Sequence, residues 1–155
     1  MSFDFRGLKY AAPRTLEIEV PELVDIWGGE GTPLWKIRSL SGDEIGFANQ
    51  QASEETQRRL KGLTEAIATG AGIGKAIEEL AGEPGKVSPE GLKRTYFLVF
   101  GSVDPKIDFD AATKLRRACY PVFLRLTDQI IILSGRGYDL GKSKPSGEIP
   151  KSSVQ

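Results

Sequence analysis

The sequence predicts a mainly α-helical α+β domain, in which four to six helices follow a small N-terminal antiparallel β-hairpin. Two periodicities support this prediction. Apolar and polar residues alternate strictly from Thr15 to Val20, which is typical of a half-buried strand. From Ser41 onward, apolar residues recur every three or four positions, which is the period of an amphipathic helix. An isolated hairpin is marginally stable, so we expect it to pack against the helices.

The hairpin is expected between residues 15 and 38. Pro21 ends the first strand because a proline nitrogen cannot donate a ladder hydrogen bond. Glycines and a proline in residues 28–33 indicate a turn, and residues 34–38 supply the second strand. We divide the chain into an N-terminal arm (1–14), one domain (15–140) and a polar tail (141–155). The tail is expected to be disordered because it has little apolar surface to bury.

The first long helix is expected from Gly42 to Ala68. Ser41 and Glu44 have the spacing of a capping box, in which each side chain accepts a hydrogen bond from the other residue's backbone. The predicted apolar stripe comprises Ile45, Ala48, Ala52, Thr56, Leu60, Leu63 and Ile67. Glycines within residues 70–74 should interrupt the helix, and a short helix should follow over residues 75–81.

A third helix is expected from the cap residue Ser88 to Gly101. Its residues are apolar on nearly all sides, so it should be the central helix. Residues 103–107 are predicted to be a connector. Asp108 should cap the next helix, and Pro121 should separate that helix from the last one.

The last helix is expected to run to about Ser134. Gly135 and Gly137 are candidates for a left-handed residue that ends it.

The composition argues against several classes of function. The chain has 155 residues, with 21 basic and 21 acidic side chains, no histidine and one cysteine. A net charge of zero disfavours a nucleic-acid-binding protein, whose affinity needs clustered positive charge. The absence of histidine removes the commonest general base and metal ligand. We expect no secretory signal and no membrane span, because apolar runs such as residues 130–133 are far shorter than the ~20 residues that a span needs.

Four patterns that could suggest a ligand site have simpler structural explanations. The glycines at 70–74 lack the spacing and the Ser or Thr of a phosphate-binding loop. Three aspartates do not follow a calcium-loop pattern, and helix capping explains them better: Asp104, Asp108 and Asp110. Cys119 is expected to be a small core residue. The basic cluster at 114–117 is expected to be a solvated face.

Apolar residues in the last two long helices exceed what one core-facing stripe needs. Leu124 and Ile131 are seven residues apart, so they share a helical face opposite the main stripe. Viewed down the helix axis, Phe97 falls between Lys93 and Arg94, which are four and three residues before it. These three residues are either packed in the core, because their helices are surrounded, or part of a partner-binding surface. We therefore predict Phe97, Leu124 and Ile131 as candidate partner-binding residues.

Four segments, in this order and spacing, resemble those of the tail assembly chaperones of long-tailed bacteriophages. They are LSGDEI at 40–45, GSVDPKID at 101–108, YPVFLRLT at 120–127 and LSGRG at 133–137. The resemblance covers residues 15 to 140, and none of its motifs is catalytic.

The resemblance implies a non-enzymatic assembly factor with no cofactor. Such proteins bind the long, helical tape measure protein in the cytoplasm of the bacterial host, keep it soluble and help to recruit tail tube subunits. They are absent from the mature virion. A second copy of the chain or a longer frameshifted form is a further expected partner. The net charge and the short apolar runs predict no contact with nucleic acid or membrane.

Two alternatives remain open. A small helical DNA-binding regulator would place residues 109–119 in the major groove, where Lys114, Arg116 and Arg117 would face the DNA. A structural tail component, such as a terminator or connector, would be richer in strand. An enzyme is disfavoured because the sequence has no histidine and shows no nucleophile–base or metal-ligand pattern.

Overall fold

A computed structural model describes residues 12–26, 28–70, 72–81 and 87–136. The tail predicted at 141–155, Gly137 and most of the predicted arm lie outside these ranges. The strands of the described residues are β1 (Thr15–Glu19), β2 (Leu34–Arg38) and β3 (Ser102–Asp104). Their α-helices are α1 (Gly42–Ala68), α2 (Gly72–Ala81), α3 (Pro89–Gly101), α4 (Phe109–Ala118) and α5 (Tyr120–Ile131). The prediction of a mainly helical α+β fold is confirmed.

The sheet has the order β1-β2-β3, and both pairings are antiparallel. The predicted hairpin is confirmed, with Leu16 opposite Ile37 and Glu19 opposite Leu34. The prediction that residues 103–107 are only a connector is wrong, because β3 occupies its beginning. A three-residue strand is too short for its alternation to be recognised in a sequence.

α1 begins and ends where the sequence predicts. The capping box is present: the Glu44 amide donates to Ser41 Oγ at 3.2 Å, and the Ser41 amide donates to Glu44 Oε2 at 2.9 Å. The Arg38 guanidinium also donates to the Glu44 carboxylate. This side chain therefore joins the end of β2 to the first turn of α1.

The second half of the predicted α1 stripe is wrong. Leu60 is 52% exposed and Ile67 is 66% exposed, whereas Ala66 is buried. The predicted stripe took three successive four-residue steps from Ala48 to Leu60. Each step overshoots a full turn by about 40°, so the third lies about 120° away from the face where it began. Steps of three and four, which lead to Ala66, keep the buried face in register.

The break between α1 and α2 is shorter than the sequence suggests. α2 begins at Gly72, three residues before the predicted start. Gly70 and Gly72 have φ values of +67° and +86°, in the left-handed region that glycine adopts without a steric penalty. These two residues turn the chain, and α2 then packs against α1.

α3 is the central helix, as predicted, and packs against α1, α4 and α5. Ser88 caps it by accepting a hydrogen bond from the Gly91 amide at 3.0 Å. At its other end, Gly101 faces α5 so closely that a Cβ there would lie 2.6 Å from Cδ1 of Ile130. The absent side chain allows this close helix contact.

α4 and α5 complete the core. Asp108 caps α4 by accepting from the Ala111 amide at 2.8 Å, and Pro121 lies in the first turn of α5, as predicted. The Leu40 amide donates to Ser134 Oγ at 2.9 Å, which attaches the segment before α1 to the end of α5. Gly135 has a φ of +90°, so the predicted left-handed residue is confirmed there.

Candidate functional site

Phe97 belongs to the core, which corrects its prediction as a partner-binding residue. Its side chain is 1% exposed. Of the two charged neighbours that suggested a surface position, Lys93 pairs with Glu90 of the same helix, whereas Arg94 is engaged in helix packing. The Arg94 guanidinium of α3 donates to Thr127 Oγ1 at 3.0 Å and Asp128 Oδ1 at 2.6 Å, both on α5. Arg94 therefore lies at the interface with α5 rather than on a solvent-facing side.

Leu124 and Ile131 lie at the border of the core. Both side chains are half-buried and pack against the buried residues of the hydrophobic core. Each also leaves part of its surface exposed, so packing explains part of their apolar character, and their assignment as partner-binding residues stays a prediction.

An open apolar groove of about 420 Å³ lies between α4 and the residues that flank β1 and β2. Its lining comes from the end of the first strand and the turn after it, from β2, from the segment after β3, and from α4. The lining residues are Val20, Leu23, Ile26, Pro33, Trp35, Pro105, Ile107, Ala111, Lys114, Leu115, Ala118 and Cys119. Lys114 is the one charged residue among them. A recess of this size and composition is typical of binding sites for apolar groups.

Hydrogen bonds fix the side of the groove that the β-hairpin supplies. The Val20 amide donates to the carbonyl of Pro33 at 2.9 Å, which continues the strand pairing for one residue beyond β1. Leu23 and Ile26 then follow through successive turns, in which each amide donates to the carbonyl three residues before it. Trp35 is 6% exposed, and its Nε1 donates to Ser102 Oγ at 3.1 Å. The indole ring is therefore held at the base of the groove.

α4 supplies the opposite side because it has apolar residues on two faces. Ala112 is fully buried in the core. Ala111, Leu115 and Ala118 follow the three- and four-residue spacing of a second face, and this face lines the groove. Sequence analysis missed this site, although the helix is apolar on two sides. A second signal was available in Leu23 and Ile26, two large apolar residues in a segment between two strands.

Lys114 lies at the rim of the groove. Its ammonium contacts Asp110 Oδ2 at 2.6 Å, and this hydrogen bond raises the pKa of Lys114 above its usual value. The two side chains are 76% and 72% exposed. Ion pairs in contact with water contribute little to stability, so Lys114 can exchange this partner for another carboxylate at small cost.

The basic cluster at 114–117 does not present its three cations on one face. Arg116 turns toward the start of α3, where a Cβ on Gly91 would lie 3.7 Å from its Nη1. Burial there, together with the charge of Arg117, lowers the pKa of Arg116. The DNA-recognition helix considered for residues 109–119 therefore loses one of its three candidate contacts.

The remaining motifs have structural roles. Asp108 is a helix cap, and Cys119 is half-buried beside the groove. In the part of the chain that the structure describes, no three His, Cys, Asp or Glu residues are close enough to hold a metal ion. Over the same residues, no helix combines the length and the apolar character that crossing a membrane requires.

The four segments that support the family resemblance lie at junctions of the fold. The first contains the capping box of α1, and its Leu40 is bonded to Ser134 of the last. The second contains Gly101, β3 and the cis peptide between Asp104 and Pro105. The third begins α5 and contributes Phe123 to the core. These segments therefore have mainly structural roles, and the second supplies Pro105 and Ile107 to the groove.

Comparison of the chain with protein-family models, with curated proteins and with solved structures found no match.

Proposed function

We propose that this protein is a non-enzymatic tail assembly chaperone of a long-tailed phage or prophage. It binds the tape measure protein in the cytoplasm of the bacterial host, keeps it soluble and helps to recruit tail tube subunits, without entering the mature virion. The order of the four segments described above supports the assignment to this family, and the apolar groove between α4 and the β-hairpin supports the binding of an apolar partner.

The groove suits this role because of what a tape measure protein exposes. A long helical protein has apolar faces that remain in contact with water until the tube forms around it. Contiguous apolar surface of this kind promotes aggregation unless another protein covers it. A groove that receives the apolar face of a helix is a common way to provide that cover. Catalysis plays no part in this role.

Co-expression tests the proposal. The chain is produced together with the long, helical open reading frame next to its gene, and the soluble fraction of that partner is measured with and without it. The proposal predicts that the partner becomes soluble and co-purifies with the chain. An insoluble partner, alongside a chain that is folded by circular dichroism, would contradict it. A salt-dependent shift of DNA in a gel would favour the DNA-binding regulator instead.

A further inference from the structure

We propose that the groove between α4 and the β-hairpin binds one amphipathic helical segment of the partner. The segment places large apolar side chains in the groove and an acidic residue beside Lys114. This inference rests on the proposed function, because the tape measure protein is the source of the segment. It adds the location of the contact, the secondary structure of the ligand and the sign of its charge.

The shape of α4 sets the length of the segment. Ala111 and Ala118 lie seven residues apart on the groove face, which corresponds to two turns or about 10.5 Å. Their small side chains leave space above the helix surface, and Leu115 lies between them. A helix lying along this face would insert apolar side chains from two successive turns. On the opposite side they would meet Ile26, which is 76% exposed, and Trp35 lies at the base.

The backbone of α4 favours a helical ligand over an extended one. An added strand gains its affinity from open amides and carbonyls on the receiving element. The backbone groups within α4 are already bonded inside the helix. Side-chain packing is therefore the main interaction that this side of the groove offers, and an amphipathic helix supplies apolar side chains at matching spacing.

The charges beside the groove determine which flank of the ligand is acidic. Lys114 lies at the border of the groove face of α4, and Arg117 follows one turn later. Arg117 makes no ion pair with the residues that the structure describes. Away from α4, Asp25 lies between the lining residues Leu23 and Ile26 in the sequence, and Lys106 lies between Pro105 and Ile107, so the charges there cancel and do not attract a carboxylate. An acidic residue of the ligand is therefore favoured on the flank that faces α4.

The test uses the full chain and two synthetic peptides with blocked ends, each about 14 residues or four turns long. The acidic peptide has leucines on one face and glutamates on both flanks. The neutral peptide has glutamine in place of every glutamate. Fluorescence anisotropy at low ionic strength measures their affinity. The variants are Ala118→Trp, which fills the exposed wall of the groove, Ile26→Asp, which changes the opposite side, and Lys114→Glu. The matched control is Ala68→Trp, at an exposed alanine of α1.

The acidic peptide is expected to bind the wild-type chain. Ala118→Trp and Ile26→Asp should each weaken binding by at least about tenfold, as loss of a central apolar contact does. Ala68→Trp should leave the affinity unchanged. Lys114→Glu should weaken binding of the acidic peptide by about two- to fivefold and leave binding of the neutral peptide unchanged, because only the acidic peptide has carboxylates. Circular dichroism checks that each variant is folded.

Failure of this inference can be distinguished from failure of the proposed function. If neither peptide binds, or if Ala118→Trp binds them like the wild type, the inference is overturned. An equal effect of Lys114→Glu on both peptides would overturn it too. A concentration-dependent dimer that Ala118→Trp abolishes, without peptide binding, would assign the groove to a second copy and also overturn it. If the peptides bind as expected but the tape measure protein stays insoluble, the groove assignment holds and the proposed function fails.

Discussion

The groove and the helical hairpin of α1 and α2 both expose large apolar side chains, but in different surroundings. In the hairpin, Leu60, Ile67 and Ile77 are 52%, 66% and 61% exposed on the outside of two packed helices. In the groove, exposed Ile26 lies beside buried residues, such as Trp35, that continue into the core. The apolar side chains of the helical hairpin lie on helix surfaces, whereas the groove is a recess with two sides.

This difference shows why exposure alone does not identify a binding surface. A side chain placed on a convex helix surface contacts it from one direction and keeps much of its own surface in water. A side chain inserted into a groove loses contact with water on several sides, and the free energy gained grows with the apolar area that is buried. The groove is therefore the better candidate for a partner site, although the hairpin has residues of the same type.

The largest expected effect is the difference in stability loss between a variant at the base of the groove and one in the helical hairpin. Trp35→Ala should lower the free energy of unfolding by about 3–5 kcal/mol, because it leaves a cavity in the core. It also removes the hydrogen bond to Ser102. Ile67→Ala should change stability by less than about 0.5 kcal/mol, because this side chain is mostly in water. Urea unfolding measures both. Similar losses of stability for the two variants would show that the helical hairpin is packed as tightly as the core.

A smaller effect compares closed packing with open packing. Gly101→Ala should lower the free energy of unfolding by about 1–3 kcal/mol, because its Cβ would overlap the buried side chain of Ile130. Ala118→Trp adds far more volume, yet it should change stability by less than about 0.5 kcal/mol, because the groove has room for the ring. Thermal unfolding of the two variants provides the measurement. A strongly destabilised Ala118→Trp would mean that the groove is closed.

The smallest effect concerns the link between the β-hairpin and α1. Hydrogen bonds from Arg38 hold the pKa of the Glu44 carboxyl below its usual range. A carboxyl with a lowered folded pKa stabilises the protein above its unfolded pKa, and this contribution is lost as pH falls through the folded pKa. Glu44→Gln should therefore cost about 1 kcal/mol near neutral pH.

The pH dependence supplies the control for this variant. The difference in stability between wild type and Glu44→Gln should shrink as the pH is lowered from about 7 to about 3, since the wild-type carboxyl becomes protonated over that range. Denaturant midpoints at several pH values measure it. A difference that stays constant with pH would show that the charge of Glu44 contributes nothing.

Local sequence signals predicted much of the fold. The alternation of apolar and polar residues identified the β-hairpin. The cap residues Ser41, Ser88 and Asp108 placed the starts of three helices, because a cap depends on residues within one turn. β3 was missed because its pairing with β2 joins residues far apart in the sequence. Phe97 was misplaced for a similar reason, since the partner of neighbouring Arg94 lies on another helix.

The candidate site could not be predicted in the same way. The groove brings together residues from the β-hairpin, the segment after β3 and α4, and no periodicity within one segment shows which of them meet. Sequence analysis instead selected Leu124 and Ile131 on one helix, where a shared face is visible from spacing. The structure packs both against the core. Local spacing shows which residues share a face, whereas tertiary packing decides whether that face is enclosed.

Hydrogen exchange of the complex with the tape measure protein tests most directly whether the partner binds in the groove and not on the helical hairpin of α1 and α2. Amide exchange is compared between the free and bound chain, segment by segment. We predict slower exchange in residues 20–26 and in α4 when the partner is bound, with exchange in residues 60–77 unchanged. Slower exchange confined to residues 60–77, with the groove segments unaffected, would contradict the account and assign the partner to the helical hairpin.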